Sequence, residues 1–180
     1  MMRSEGLTDF MRLFARNRGA VIGLVILLTI IILAITAPLI FPLDPFSSVG
    51  APFMEPFGEH LFGTDQLGRD VAAGVVHGAR TSLLLALVAT VISIFVGTSI
   101  GCFAGYYPGW LGNFLMRVTE FFQTIPSFVF AIVLVAILQP SMKSIVIAIA
   151  VVTWPPVARL VRGEMLAIRK REFVEACVSL

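Results

Sequence analysis

Four stretches of this chain are apolar enough and long enough to cross a lipid bilayer, and nothing else in the sequence limits its fold so strongly. A crossing takes about 20 apolar residues at 1.5 Å rise each. Its backbone N–H and C=O groups must bond within the segment, so each such stretch is expected to be a helix. The first covers residues 20–41 and the second residues 82–104, neither with a charge. The third covers 114–138 and the fourth 144–161. Composition points the same way: 58% of the 180 residues are hydrophobic and 13% charged, more apolar surface than one soluble core can bury. The expected fold class is all-α, a polytopic membrane helical protein. The formal net charge of +2 is too small to suggest a nucleic-acid partner, which leaves membrane lipid as the surrounding the composition asks for.

The first stretch follows Arg12, Arg16 and Arg18, as the h-region of a cleaved signal peptide would. Its apolar run is too long for that role, and Pro38 follows the only small-residue cluster, so it reads as a retained signal-anchor helix. In the last stretch the Pro155-Pro156 pair predicts a helix that bends or ends near the membrane surface. Pro126 predicts a kink in the third, beside Gln123 and Thr124, where a transport path could be lined.

Orientation follows from the basic residues. Arg3, Arg12, Arg16 and Arg18 precede the first span, and Arg159, Arg162, Arg169, Lys170 and Arg171 follow Pro156. With four spans both ends face one side, and the positive-inside rule makes that side the cytoplasm. The chain then divides into a cytoplasmic N-terminal helix (1–19), a first span (20–41), an external segment (42–81), three further spans (82–161) and a cytoplasmic tail (162–180). The external segment holds Asp44, Glu55, Glu59, Asp65 and Asp70 against Arg69 and Arg80. Before the first span, Leu7, Phe10, Met11 and Phe14 share one helical face opposite the arginines. That pattern suits a helix in the headgroup layer and suits a plain lead-in to the span equally well.

Several motifs carry candidate roles. Ser93, Gly97, Gly101 and Gly105 recur every fourth residue and stack on one face, where missing side chains let another backbone approach; ordinary intramembrane packing explains them better than a transporter-specific interface. Arg117 and Glu120 can pair at i,i+3, more simply as a self-neutralising structural pair than as the lining of a polar path. Gly63 and Gly68 have the spacing of a phosphate loop, but Arg69 and Asp70 stand where Lys and Ser/Thr would be needed, so nucleotide binding is rejected. Thr64 or Asp65 is the expected N-cap of a short helix leading back to the membrane. His60 and His77 make a poor metal pair and read as polar residues of an exposed loop. Cys102 and Cys177 are expected to be free thiols. No nucleophile, acid and base come together in the pattern, and Ser and Thr within the spans are explained by bonds to their own helices. An enzyme is not expected.

Three stretches resemble a known family: A-P-L-I-F-P-L-D-P-F from Ala37, G-T-D-Q-L-G-R-D-V through G-A-R-T-S-L from Gly63 to Leu83, and W-P-P-V-A-R-L-V-R-G-E through R-E-F-V-E-A-C from Trp154 to Cys177. Together they are similar to the C-type permease subunit of ATP-driven importers of dipeptides, oligopeptides and nickel. In order and spacing they cover nearly the whole chain, with G-T-D-x-x-G-R-D the most specific. The resemblance implies part of a type I importer transmembrane domain with six spans. A cytoplasmic loop after the fourth would carry an E-A-A-x-x-x-G coupling helix that docks into an ATPase subunit. Glu175 and Ala176 match it, Cys177 replaces the second Ala, and Leu180 stands just before the place of the Gly, so the chain reads as truncated before the last two spans.

What the resemblance implies for mechanism is alternating access. A periplasmic binding protein would deliver substrate to a pair of related permeases, and cytoplasmic ATPase subunits would bind ATP and magnesium, leaving no cofactor in this chain. Glu172, Glu175, Ala176 and Cys177 would couple to the ATPase, with Arg159, Arg162 and Glu164 at the inner end of the fourth span. Gly63, Thr64, Asp65, Gly68, Arg69 and Asp70 would shape a periplasmic cap. The expected location is the inner membrane, multi-pass, with a cytoplasmic N-terminus. An ion-coupled transporter or channel would instead place acidic residues at mid-membrane depth, and Glu120 is the only acid in any span. A non-transporting scaffold would fit the hydropathy, and only the resemblance speaks against it.

Overall fold

A computed structural model describes residues 11–107, 109–172 and 174. Among them the chain is helical, with no strand and one isolated bridge between Thr64 and Asp70. The elements are α1 (Arg18–Ile40), α2 (Val71–Tyr106), α3 (Trp110–Thr124), α4 (Ser127–Leu138) and α5 (Met142–Arg169). Residues 11–16 are also helical; the amphipathic face expected there extends to Leu7 and Phe10, outside the described residues. Three helices, α1, α2 and α5, are long and apolar enough to cross a membrane, and a fourth crossing is available if α3 and α4 count as one. The chain divides into two compact units, with the boundary between Leu83 and Leu84, within α2.

In the first unit, the Asn17 side chain accepts from the Ala20 N–H at 3.2 Å and starts α1, satisfying one of the orphan donors of a helix start. Thr29 and Thr36 donate to the carbonyls of Val25 and Ile32, both at 2.8 Å, so neither hydroxyl is left unpaired in the apolar run. The 41–70 loop leads to α2, whose start differs from the expected one. The cap is Asp70 rather than Thr64 or Asp65: its Oδ1 accepts from the N–H groups of Ala72 at 2.8 Å and Ala73 at 3.2 Å. Residues 71–81, within the stretch where a short helix leading back to the membrane is expected, are the first turns of a 36-residue helix.

In the second unit two proline positions behave differently. Pro126 removes a backbone donor and forces Ile125 into extended backbone, φ −87° and ψ 131°, as the residue before proline prefers. Here the chain does more than kink, because α3 and α4 meet at 86°. At 12 residues, α4 alone is too short to cross. Pro155 and Pro156, expected to bend or end the last span, lie inside α5, which continues to Arg169. The carbonyls of Val151 and Val152 lose their usual donors there. Packing holds the helix together: Trp154 is 8% exposed, Ala158 is fully buried, and Pro155 is among the most buried side chains of the chain. Phe122 of α3 packs edge-on against Trp154 with ring centres 5.4 Å apart.

Candidate functional site

The G-T-D-x-x-G-R-D segment folds the 41–70 loop around itself. Gly63 and Gly68 have φ of 69° and 70°, a region that glycine enters without strain. A Cβ on either would strike a backbone carbonyl oxygen, that of Met54 for Gly63 and that of Gly50 for Gly68, so both are glycine for two independent reasons. Thr64 is buried; its Oγ1 donates to the Ala51 carbonyl at 2.6 Å and accepts from the Met54 N–H at 2.9 Å. Asp65 closes the turn through Oδ1, which accepts from the N–H groups of Leu67 at 2.7 Å and Arg69 at 3.0 Å. The Arg69 N–H, more than any other group, holds the Asp65 carboxyl below its ordinary pKa. The Arg69 guanidinium sits 5.6 Å from the centre of the Phe46 ring, within cation–π range.

Asp70 is the junction of this loop. While Oδ1 caps α2, Oδ2 accepts from Nδ1–H of His60 at 2.9 Å; a carboxylate can only accept, so the proton on that nitrogen is fixed. Burial pushes the Asp70 carboxyl up, but the N–H of Ala73, the His60 ring and the N–H of Ala72 together outweigh it and hold the group below its ordinary value. His60 is thus a half-buried partner of Asp70 and not a free polar residue of an exposed loop. His77 donates from Nε2 to the Phe41 carbonyl at 3.0 Å. Among the described residues no three His, Cys, Asp or Glu side chains gather to hold a metal ion.

In the second unit, the small residues of α2 lie against α5. A Cβ on Gly97 would come 2.6 Å from Cβ of Val157 and 2.8 Å from the Trp154 carbonyl oxygen. On Gly101 it would meet the Ala158 carbonyl oxygen at 2.6 Å, and on Gly105 Cβ of Met165 at 2.6 Å. Three successive turns of α2 are in backbone contact with α5 because no side chain intervenes. Ser93 is buried, but its hydroxyl finds no partner among the described residues, unlike Ser99, Thr119 and Thr153, which bond to their own helices.

Beyond this seam, α3 and α5 line an open cleft of about 220 Å³. Met116, Thr119, Glu120 and Gln123 line it from α3, and Arg159, Arg162, Gly163 and Leu166 from α5. Arg162 donates to the Asn113 amide oxygen at 3.2 Å. Arg117 and Glu120 pair at 2.9 Å on the surface of α3, as their spacing predicts. Glu164 and Glu172 are exposed and do not line the cleft. Glu175, Ala176 and Cys177 lie outside the described residues. Thr119 and Asn113 were not foreseen in this region, although a buried face was legible: Gly112, Met116, Thr119 and Gln123 repeat at helical spacing.

Among the described residues the arrangement contains two self-bonded scaffolds, the 41–70 loop and the α2–α5 seam, with polar side chains lining a space between α3 and α5. The binding-protein-dependent transport system inner membrane component family matches residues 97–180. The N-terminal TM domain of oligopeptide transport permease C matches residues 7–58. Among curated relatives, the oligopeptide transport system permease protein of Haemophilus influenzae is 39% identical over 94% of the chain and 56% of its own length. The dipeptide transport system permease protein of Alkalihalophilus pseudofirmus is 38% identical over 89% of the chain and 53% of its own length. The di/tripeptide transport system permease protein of Pseudomonas aeruginosa is 37% identical over 94% of the chain and 58% of its own length. The chain thus spans a little over half the length of these relatives. A multi-pass helical protein with two such matches and these relatives along nearly all of its sequence belongs to the family of binding-protein-dependent transport system inner-membrane components.

Proposed function

We propose that this chain is the larger part of a permease subunit in an ATP-driven importer that receives peptides from a periplasmic binding protein and passes them inward by alternating access. The observation that carries this reading is the similarity to three peptide permeases along nearly the whole chain. Their names favour peptides over a nickel chelate. The α2–α5 seam supports it physically. Helices in backbone contact over three turns move as one body, which a subunit needs if a push at one end is to reach the other.

In this reading the protein sits in the inner membrane with a cytoplasmic N-terminus, and the 41–70 loop forms a cap on the periplasmic side. A second related permease lies beside it. Cytoplasmic ATPase subunits bind the ATP and magnesium and dock on the segment that includes Glu172, Glu175, Ala176 and Cys177. Arg159, Arg162 and Glu164 lie where α5 leads into that segment. The test is co-purification of an ATPase subunit with this chain from its native membranes. Ala176→Arg would bury an unpaired charge in a tight helix contact, at a cost of several kcal/mol. We expect membrane insertion to persist while ATPase capture falls at least about tenfold. Undiminished capture by that variant would remove the coupling assignment. Failure of the parent chain to bind any ATPase would remove the importer reading itself.

A further inference from the structure

We propose that Arg162 and Arg169 are positioning residues for coupling, because they fasten the end of α2 and the first turn of α3 to the last two turns of α5. The proposal rests on the importer reading and names how a push on the segment after Arg169 reaches two further helices. Arg169 donates from Nη1 to the carbonyl of Tyr106, the last residue of α2, at 3.3 Å. Arg162 donates from Nη2 to the Asn113 amide oxygen, in the first turn of α3, at 3.2 Å. Between the two arginines stands Met165, whose Cβ would lie 2.6 Å from a Cβ added at Gly105. Positions 162, 165 and 169 are three and four residues apart and so share one helical face. That single face of α5 meets both helix ends.

The chemistry of the two ends agrees. A helix C-terminus leaves carbonyls unpaired and carries a partial negative charge that a cation stabilises. No basic residue stands in the last turn of α2, so the cation at Tyr106 comes from α5. At the start of α3, Gly109 makes no side-chain cap. Gly112 lies so close to α2 that a Cβ there would come 2.8 Å from the Tyr107 carbonyl oxygen. The two ends therefore move together, and the arginines join both to α5. Nor is there slack beyond Arg169: the Lys170 N–H donates to the Ala167 carbonyl at 3.3 Å and the Arg171 N–H to the Ile168 carbonyl at 3.0 Å. The stretch that leaves α5 is bonded to its last turn, so a displacement there is carried to Tyr106 and Asn113 by side chains rooted on the same helix.

Hydrogen exchange on the 180-residue chain tests the fastening without any partner. The Tyr107 amide, bonded to the Phe103 carbonyl at 3.1 Å, reports the end of α2, and the Asn113 amide, bonded to the Gly109 carbonyl at 3.0 Å, the start of α3. Arg169→Gln should speed exchange at Tyr107 about twofold to fivefold, and Arg169→Lys, which keeps the charge, should restore most of the protection. Arg162→Gln should act likewise at Asn113, while Arg171→Gln, at an exposed position off this face, should change neither. The second arm captures the ATPase and follows thiol labelling of Leu111→Cys, an exposed position in the first turn of α3, after replacement of Cys102 and Cys177 by Ala. Adding the ATP analogue AMP-PNP should change the labelling rate at least about fivefold in the parent. The Arg162→Gln/Arg169→Gln pair should lose that response while capturing the ATPase at the parent level. Asn113→Ala, at an exposed position, breaks the Arg162 bond from the other side and should weaken the response in the same direction. Unchanged exchange at both amides in the arginine variants, or a full AMP-PNP response in the paired variant, would overturn the proposal. A parent chain that captures no ATPase would remove the importer reading and the coupling role with it, and the exchange arm would still report whether the arginines hold the two helix ends.

Discussion

Asp70 holds His60 with one carboxylate oxygen and the first turn of α2 with the other. One short side chain thereby joins the 41–70 loop to the start of a helix long enough to cross the bilayer. The same loop residues that resemble a family motif are those whose chemistry the loop needs. Two glycines stand where a Cβ would hit a carbonyl, a threonine bridges two backbone groups, and two aspartates cap a turn and a helix. The motif is explained as architecture, and a role in recognition would come from the surface it presents.

Acid should loosen this junction. The Asp65 and Asp70 carboxyls both lie below the ordinary aspartate value of 3.8 in the folded chain. Their contribution is therefore fully present above that value and is lost as pH falls through the lower folded values. Asp70→Ala should cost about 1–2 kcal/mol by removing the helix cap. Asp70→Asn retains an acceptor for the cap, so it should cost less and lack the acid-dependent loss. Hydrogen exchange at the Ala72 and Ala73 amides as a function of pH checks both. Equal protection in all three proteins would show that the cap does not depend on this carboxylate.

A topological prediction follows from the distribution of basic residues. Glu55 and Lys170 are both exposed, so a cysteine at either can be labelled without disturbing packing. After replacement of Cys102 and Cys177 by Ala, Glu55→Cys should react with an impermeant thiol reagent added to intact cells. Lys170→Cys should react only after permeabilisation. Equal reaction at both positions in intact cells would show that the loop and the tail lie on the same side.

The apolar stretches were legible in the sequence because length and hydropathy are local properties, whereas their ends depended on competing contacts. Asp65 has the right chemistry for an N-cap, but Gly68 in the left-handed region turns the chain back, and the helix waits for Asp70. Pro126 announced a break, but no local rule contains the 86° angle between α3 and α4. The Pro155-Pro156 pair announced a bend or an end, and the helix does not end there: it runs on to Arg169, with Trp154, Pro155 and Ala158 buried. The α3–α5 cleft escaped notice because its lining residues come from positions more than thirty residues apart, although each helix shows the spacing on its own face.

The seam between α2 and α5 yields the most direct mutational test. At Gly101 the nearest atoms to an added Cβ are the Ala158 carbonyl oxygen at 2.6 Å and Cβ of Val161 at 2.7 Å. One of these is backbone and the other is the root of a β-branched side chain, so neither can swing aside. Gly101→Leu must push α5 away, opening the contacts at Gly97 and Gly105 as well, and should cost roughly 1–3 kcal/mol or more. Ile94→Leu is the control: Ile94 is 52% exposed on the same helix, and a volume-conserving change there should cost less than about 1 kcal/mol. Thermal unfolding in detergent measures the difference. Proteolysis within α5 reports whether the loss is local to the seam, and Gly101→Leu should be cut faster than Ile94→Leu. If the two variants unfolded at the same temperature and resisted the protease equally, α2 and α5 would not be held by backbone contact at this glycine, and the rigid body required for coupling would have to lie elsewhere.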